Sequence, residues 1–333
     1  MGTDLVISKR VGRSIESSLI FKQNDRIRKF ESYHIMLSQK KILVLGVSGM
    51  LGNAVFRVLS DSAEFEVQGT IRSIEYLRFF TKAESERITS NMDVLNEDEL
   101  LRLFSNIKPD IVVNCVGIIK QQKLAKDPIT VLPINSLLPH RLSNLCKLVG
   151  ARLILISTDC VFNGQKGNYT ETDMPDAEDL YGRSKEIGEV RDEPHVFTVR
   201  TSIIGHELNS NYSLVDWFLS QNGEVRGYKK AFFSGLPSYE IAEIIKTVII
   251  PNPKLYGLYH ISSDPISKFD LLSLVGEVYG KNNKILESEE VIVDRSLDST
   301  KFRKETSYKP LPWKNLILLM KKYKEQYLDN IHV

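Results

Sequence analysis

From Lys41 onward the chain alternates short apolar, β-branched runs with amphipathic stretches. Runs at 41–46 (KILVLG), 66–71 (EVQGTI), 110–116 (DIVVNCV), 152–157 (RLILIS) and 196–204 (VFTVRTSII) predict strands. Runs apolar on both faces belong to strands covered by helices on either side. Between them, 135–149 predicts a helix, with Leu138, Leu142, Leu145 and Val149 on one stripe and Gly150 as a stop. Another, 97–105, opens on Asn96 as N-cap and carries Leu100, Leu101 and Phe104. Strand and helix in alternation imply a parallel sheet with right-handed crossovers. The expected class is α/β, a Rossmann-type doubly wound parallel sheet. After about residue 205 the rhythm changes. Helices are expected at 213–221, 239–250, 268–280 and 313–328, and a strand at 257–262. The expected division is 41–205 for the sheet domain, completed by strands within 231–265, with 206–230 and 266–328 as a smaller C-terminal lobe.

Composition narrows the picture. The 333 residues hold 44 Lys+Arg and 42 Asp+Glu, a net charge of +2. This balance gives no reason to expect a nucleic acid as partner. It conceals an uneven front: residues 1–40 contain eight basic and four acidic residues, leaving 36 basic and 38 acidic for the rest. That segment has weak periodicity and no apolar signal core, and reads as a flexible basic extension, with Met36 an alternative start. No apolar run is long enough for a membrane span. Cys115, Cys146 and Cys160 are odd in number and share no spacing with the six scattered His, so neither disulfide nor metal is expected. A reducing, cytoplasmic location follows from that usage.

The first chemical feature is Gly46-Val-Ser48-Gly49-Met50-Leu51-Gly52, between a strand and a helix that continues through Ala54, Val55, Val58 and Leu59. Glycines there permit a tight turn and close approach of a pyrophosphate, and the helix N-terminus offers free N–H groups. The second strand ends Gly69-Thr70-Ile71-Arg72-Ser73. A basic residue at that place can pair with the 2′-phosphate of NADP, where an acid would prefer NAD. NADP(H) is therefore the expected cofactor, with NAD(H) possible.

The second feature is Tyr181-Gly-Arg-Ser-Lys185, which puts phenol and ammonium on one helix face. An ammonium nearby is expected to lower the phenol's pKa and ready it for proton exchange with a carbonyl oxygen. Upstream, at the end of a buried strand, stands Ser157-Thr158-Asp159-Cys160-Val161-Phe162. A hydroxyl at the carboxyl edge of an open sheet lies where ligands bind and can hold the substrate oxygen.

The glycine turn, Thr158, Tyr181 and Lys185, in this order and spacing, resemble the extended short-chain dehydrogenase/reductases over roughly 41–325. The resemblance implies that Asp93 and Val94 meet the adenine, and that Cys115, Val116 and Gly117 line the cofactor pocket. It implies that Lys185 also holds the nicotinamide ribose. It implies that Asn135 supports a proton relay, although an N-cap role fits that residue equally. The stretch Ser157-Thr-Asp-Cys-Val-Phe-Asn-Gly164, the motif Tyr181-Gly-x-x-Lys185-x-x-Gly188-Glu189, Arg200-Thr201-Ser202 and Ser234-Gly-Leu-Pro237 are similar to the dTDP-4-dehydrorhamnose reductase (RmlD-like) branch. Cys160 stands where that branch has Tyr, and Ser238 where it has Thr. The branch implies reduction of a 4-keto group on a nucleotide-linked deoxysugar, in polysaccharide biosynthesis, by an enzyme whose relatives form homodimers. Asp159, Cys160, Phe162, Trp217 and Arg295 are the candidates to touch that nucleotide-sugar. Trp217 could stack on a base, but its spacing with Leu214 and Phe218 also fits a core position. Two other readings stand beside this one. An epimerase or 4,6-dehydratase would share the scaffold, but dehydratases follow Thr-Asp with Glu, where this chain has Cys160. A non-catalytic, NADP-binding regulatory subunit would often have lost Tyr or Lys.

Overall fold

The computed structural model describes residues 39–120 and 123–329, so the expected basic extension lies almost wholly outside the described residues. The central sheet has seven strands: β1 (Lys40–Leu45), β2 (Phe65–Thr70), β3 (Ile88–Thr89), β4 (Ile111–Asn114), β5 (Arg152–Thr158), β6 (Val196–Thr201) and β7 (Gly257–His260). Their order is β7-β6-β5-β4-β1-β2-β3, and all neighbours are parallel. This is the expected doubly wound Rossmann-type sheet. Strand order reverses between β1 and β4, which opens a crevice at the carboxyl ends of the strands.

The longer helices are α1 (Met50–Ser60), α2 (Glu97–Ile107), α3 (Leu138–Val149), α4 (Leu180–Ile187), α5 (Leu214–Ser220), α6 (Ser238–Ile244), α7 (Lys268–Tyr279) and α8 (Trp313–Tyr327). Side chains of α1 and α6, among them Val55, Phe56, Leu59 and Ile241, cover one face of the sheet. Leu100 and Phe104 of α2 and Leu138 and Leu142 of α3 cover the other. Ile42–Leu45 are accordingly buried without a break, the signature of a strand between two helical layers.

Three expected elements differ in detail. The strand foreseen over 196–204 breaks at Ser202, because the Ser202 carbonyl turns to accept Leu236 N at 2.9 Å and Ile203–Ile204 pairs with Leu236–Pro237 instead. The helix foreseen from 135 starts at Leu138, after a short helix Pro128–Leu132 and a π turn Pro133–Leu137. The helix foreseen over 239–250 passes into a second π turn, Ile245–Ile249. Of the segment 231–265, Gly257–His260 joins the sheet beside β6, whereas Ala231–Phe233 pairs with Ile266–Ser267 and Val293–Asp294.

The smaller lobe sets α5 and α7 against the parallel pair Glu224–Tyr228 and Lys284–Ser288, around Val215, Phe218, Val225, Leu271 and Val275. The last helix returns to the first. Arg57 of α1 is buried, donates to the carbonyls of Tyr327 and Phe79 and pairs with Glu84 at 3.1 Å. Tyr323 and Tyr327 of α8 donate to Asn53 and Asp61. Among the described residues no helix is long and apolar enough to cross a membrane.

Candidate active site

The glycine turn joins β1 to α1. A Cβ on Gly52 would stand 2.1 Å from the Gly46 carbonyl oxygen, so only glycine lets α1 start this close to the strand. Gly46 itself has φ +84°. Gly49 is the N-cap, no side chain caps the helix, and its first turn holds no acid. Its leading N–H groups and positive dipole end therefore face the crevice uncapped, an arrangement that fits a pyrophosphate. Ser48, Met50 and Leu51 lie in the same turn. Arg72, at the end of β2, is exposed and makes no ion pair among the described residues. Asp93 is exposed and caps Leu95 N at 3.0 Å. Val94 and Val116 pack partly against the core, as Cys115 does on the other face.

Asn135 is no N-cap. It is buried in the π turn, where Oδ1 accepts Ile118 N at 2.9 Å and Nδ2 donates to Ile118 O at 3.0 Å and Ser184 Oγ at 3.2 Å. It thus clamps the backbone just after Gly117 to the inner face of α4. No direct bond to Tyr181 or Lys185 is present.

Strand β5 delivers Thr158 to the crevice. Its hydroxyl accepts Cys160 N and donates to Asp159 Oδ1, each at 3.1 Å. Helix α4 begins at Asp179, whose carboxylate caps Gly182 N at 2.8 Å and takes Lys120 Nζ at 2.6 Å. Gly182 has no room for a side chain, since a Cβ would lie 2.2 Å from the Cys160 carbonyl oxygen. That contact seats Tyr181 beside the Thr158 turn. Lys185 Nζ, one turn on, donates to the Ile156 carbonyl at 2.7 Å.

Burial pulls the Lys185 ammonium down to about 8, against the field of Glu189, and it remains mostly charged at neutral pH. Tyr181 differs from expectation. Burial pushes its phenol above the ordinary value, with Cys160 and Asp159 adding to the effect and the Thr158 hydroxyl opposing it. Burial likewise raises the carboxyl of Asp159 and pushes the thiols of Cys115 and Cys160 up to about 12.

The substrate candidates divide. Phe162 must be corrected: it is fully buried and stacks on Tyr169 with centroids 4.0 Å apart, so it supports the turn from behind and reaches no ligand. The short 3-10 turn Asp159–Val161 rotates it inward. Arg295 borders the site, but Nε and Nη2 donate to the carbonyls of Phe162 and Asn163 at 2.7 and 3.1 Å. Trp217 is 37% exposed while Phe218 takes the core position. It lines a groove of about 340 Å³ with Leu214, Arg226, Tyr228, Lys268 and Leu272. Lys268 was not foreseen. It is half-buried at the first position of α7, and burial lowers its pKa beside Asp159, Arg295 and Cys160. A cation at a helix N-terminus opposes the dipole, a local conflict that could have flagged it. Among the described residues no cluster of side chains could hold a metal ion.

A family model described as RmlD substrate binding domain matches residues 40–317. The chain belongs to this family. Within reach of that RmlD assignment, a dTDP-4-dehydrorhamnose reductase of Aggregatibacter actinomycetemcomitans is 23% identical over 312 residues, 86% of this chain and 99% of that protein. A methionine adenosyltransferase 2 subunit beta of Rattus norvegicus is 26% identical over 179 residues, 54% of this chain and 50% of that protein. The structure of a dTDP-4-dehydrorhamnose reductase from Bacillus anthracis in complex with NADP has a TM-score of 0.70 at 20% identity, covering 85% of this chain and 98% of that one. The resemblance to the extended short-chain dehydrogenase/reductases and their RmlD-like branch is borne out in family and fold. The expectation of an NAD(P)-dependent oxidoreductase agrees with these reductase relatives.

Proposed function

We propose that this RmlD-family chain reduces the 4-keto group of a nucleotide-linked deoxysugar with NADPH, in the manner of a dTDP-4-dehydrorhamnose reductase. One observation supports the reading: Tyr181 stands within hydrogen-bonding reach of Thr158 at the end of β5, Lys185 bonds the Ile156 carbonyl of the same strand, and the uncapped glycine turn follows β1 in the same parallel sheet. The turn from Gly46 to Gly52 would hold the pyrophosphate, Arg72 the 2′-phosphate, Asp93 and Val94 the adenine, and Cys115–Gly117 the pocket wall. When bound, NADPH supplies the hydride. Tyr181, as a phenol, carries its proton at neutral pH and can give it to the oxygen left on C4. Thr158 holds the same oxygen once its hydroxyl proton turns from Asp159 Oδ1. The Lys185 ammonium adds positive charge beside the site and a donor for the cofactor ribose. Asn135 holds α4 and the pocket wall in register. On the substrate side, Asp159 and Cys160 border the sugar, Lys268 and Arg295 the diphosphate, and Trp217 offers a face to the base.

The test is oxidation of NADPH, followed at the nicotinamide band, with dTDP-, UDP- and GDP-linked 4-keto-6-deoxy sugars. No oxidation across the panel overturns the reading. Tyr181→Phe is expected to cut turnover by about 10²–10⁴-fold while NADPH binding stays intact. The match to the methionine adenosyltransferase beta subunit favours one other reading, a regulatory subunit. In that case the same assay shows NADPH bound but never oxidised. A 4,6-dehydratase fits less well, because the Cys160 thiol, held protonated near 12, is no substitute for a carboxylic acid.

A further inference from the structure

Four residues after Lys185, just past the Gly188 cap that ends α4, stands Glu189, whose side chain is wholly enclosed. Arg200 Nε and Nη2 grip its two oxygens at 2.7 Å each. Arg191 adds two more charged bonds to Oε2, from Nη2 at 2.7 Å and Nε at 3.1 Å. Ser157 Oγ donates to Oε1 at 2.6 Å. A buried carboxylate needs such partners to exist as an anion, and burial is here outweighed, chiefly by Arg200, so its pKa lies below the ordinary value.

The partners stand at telling places. Ser157 lies between Ile156, whose carbonyl takes Lys185 Nζ, and Thr158. The register of β5 and β6 sets Ser157 beside Arg200. Behind it, Arg200 Nη1 reaches His260 Nε2 of β7 at 3.4 Å, and His260 Nδ1 donates to the Tyr169 carbonyl at 3.0 Å. One carboxylate thereby ties the end of α4 to β5 directly, to β6 through Arg200 and to β7 through His260.

We propose that Glu189 is a positioning residue that fastens the Tyr181–Lys185 helix to the end of β5, and so sets both side chains opposite Thr158. This rests on the catalytic reading above. Glu189 touches no reacting atom in this scheme. Its effect passes through Ser157 to Thr158, and through its charge to Lys185. Lys185 is faced by Glu189 and by Cys115 at the end of β4. Removing the Glu189 charge therefore lowers the pH at which Lys185 loses its proton, while removing the Ser157 hydroxyl leaves that charge in place.

The experiment compares Ser157→Ala, Glu189→Gln and Glu189→Asp. It reads NADPH oxidation against pH, the pH dependence of Lys185 acetylation by mass spectrometry, and thermal stability. Ser157→Ala is expected to lower kcat about tenfold through misplacement of Thr158, with KM and the Lys185 midpoint unchanged. Glu189→Gln is expected to lower kcat and move both the alkaline limb and the acetylation midpoint to lower pH. Glu189→Asp restores the midpoint but not kcat, its reach being shorter. Wild-type kcat in Ser157→Ala, or an unmoved midpoint in Glu189→Gln, overturns the proposal. If Glu189→Gln does not fold, Ser157→Ala decides alone. If the wild type oxidises no NADPH with any sugar of the panel, the catalytic reading falls. The acetylation midpoints still test the link from Glu189 to Lys185.

Discussion

Gly52→Ala puts one methyl group where the structure has no space. The added Cβ would sit 2.1 Å from the Gly46 oxygen, 2.8 Å from its carbonyl carbon and 3.1 Å from Val47 Cα. Real Cβ atoms stay beyond about 3.0 Å, so something must retreat by about 1 Å. The Gly46 carbonyl is held, because it accepts Gly49 N at 3.1 Å and Val47 N is bonded to Thr70 O at 2.9 Å. β1 is also flanked on both sides by β2 and β4. Helix α1 must therefore move, against a face buried from Leu51 to Leu59. Overpacking of this kind costs about 1–3 kcal/mol. The atoms in the way are backbone, which puts the cost at the top of that range; Ala regains about 1 kcal/mol over Gly in a helix, so a net loss of about 2 kcal/mol is expected. In a chain of 333 residues, with an unfolding entropy of about 2.1 cal/mol/K per residue, that is a fall in Tm of about 3 °C. The same shift pulls the leading N–H groups away from the strand end, and NADPH binding should weaken at least tenfold. Gly49→Ala is the control: its Cβ would lie 3.5 Å from the Gly46 oxygen, and its backbone, at φ −83° and ψ 160°, suits alanine. Its stability should change by less than about 1 kcal/mol. Thermal unfolding followed by circular dichroism, with NADPH fluorescence titration, measures both. Equal stability of Gly52→Ala and wild type, or an equal loss in Gly49→Ala, refutes the steric argument.

Other outcomes follow from the same geometry. Burial and the neighbouring Arg200 hold His260 down at about 4, whereas an unfolded His titrates near 6.5. The unfolded chain thus binds the extra proton between those values, so stability is full above about 6.5 and declines by about 3 kcal/mol as pH falls toward 4. Urea unfolding across that range should show the slope, and His260→Gln should flatten it. Phe162→Ala should cost about 3–5 kcal/mol, while Phe162→Leu should fold and leave KM for the sugar nucleotide within about twofold; a selective rise in KM would return Phe162 to the substrate site. Arg72→Ala should weaken NADPH about 10–100-fold, the worth of a charged hydrogen bond, and leave NADH unchanged, by fluorescence titration of each. Lys268→Ala should raise KM for the sugar nucleotide about tenfold without altering the Kd of NADPH; an unchanged KM would place Lys268 outside the site.

The sheet was legible because its strands are short, apolar and covered on both faces. Ile42–Leu45 and Ile111–Val113 have no polar interruption, and Asn96 and Gly150 mark helix ends by their own chemistry. The segment 128–137 was not legible. Two prolines and a π turn give it no 3.6-residue rhythm, and Asn135, the first residue of the expected helix, sits inside that π turn. The lobe's strands Glu224–Tyr228 and Lys284–Ser288 alternate too briefly, with charges on their open face, to be told from loops. Within the site, motif spacing located Thr158, Tyr181 and Lys185 but said nothing about which way a side chain turns. Phe162 shares a stretch with Thr158, yet a three-residue turn sends it to the core. Lys268 belongs to no motif and enters the crevice only because α7 begins there. Spacing likewise shows the Tyr181–Lys185 pair but not the burial that raises the phenol's pKa.

The clasp between α1 and α8 bears on how the chain is made. Arg57 and the Tyr327 carbonyl stand 270 positions apart. During translation the helix behind the glycine turn emerges early: its guanidinium can soon meet Glu84 and the Phe79 carbonyl, while the Tyr327 carbonyl and the Tyr323 hydroxyl that reaches Asn53 come much later. Residues up to Tyr327 must clear the ribosomal exit tunnel before that wall can close. A nascent chain therefore carries an open seam along α1 until α8 has emerged, long after β1–α1–β2 is complete.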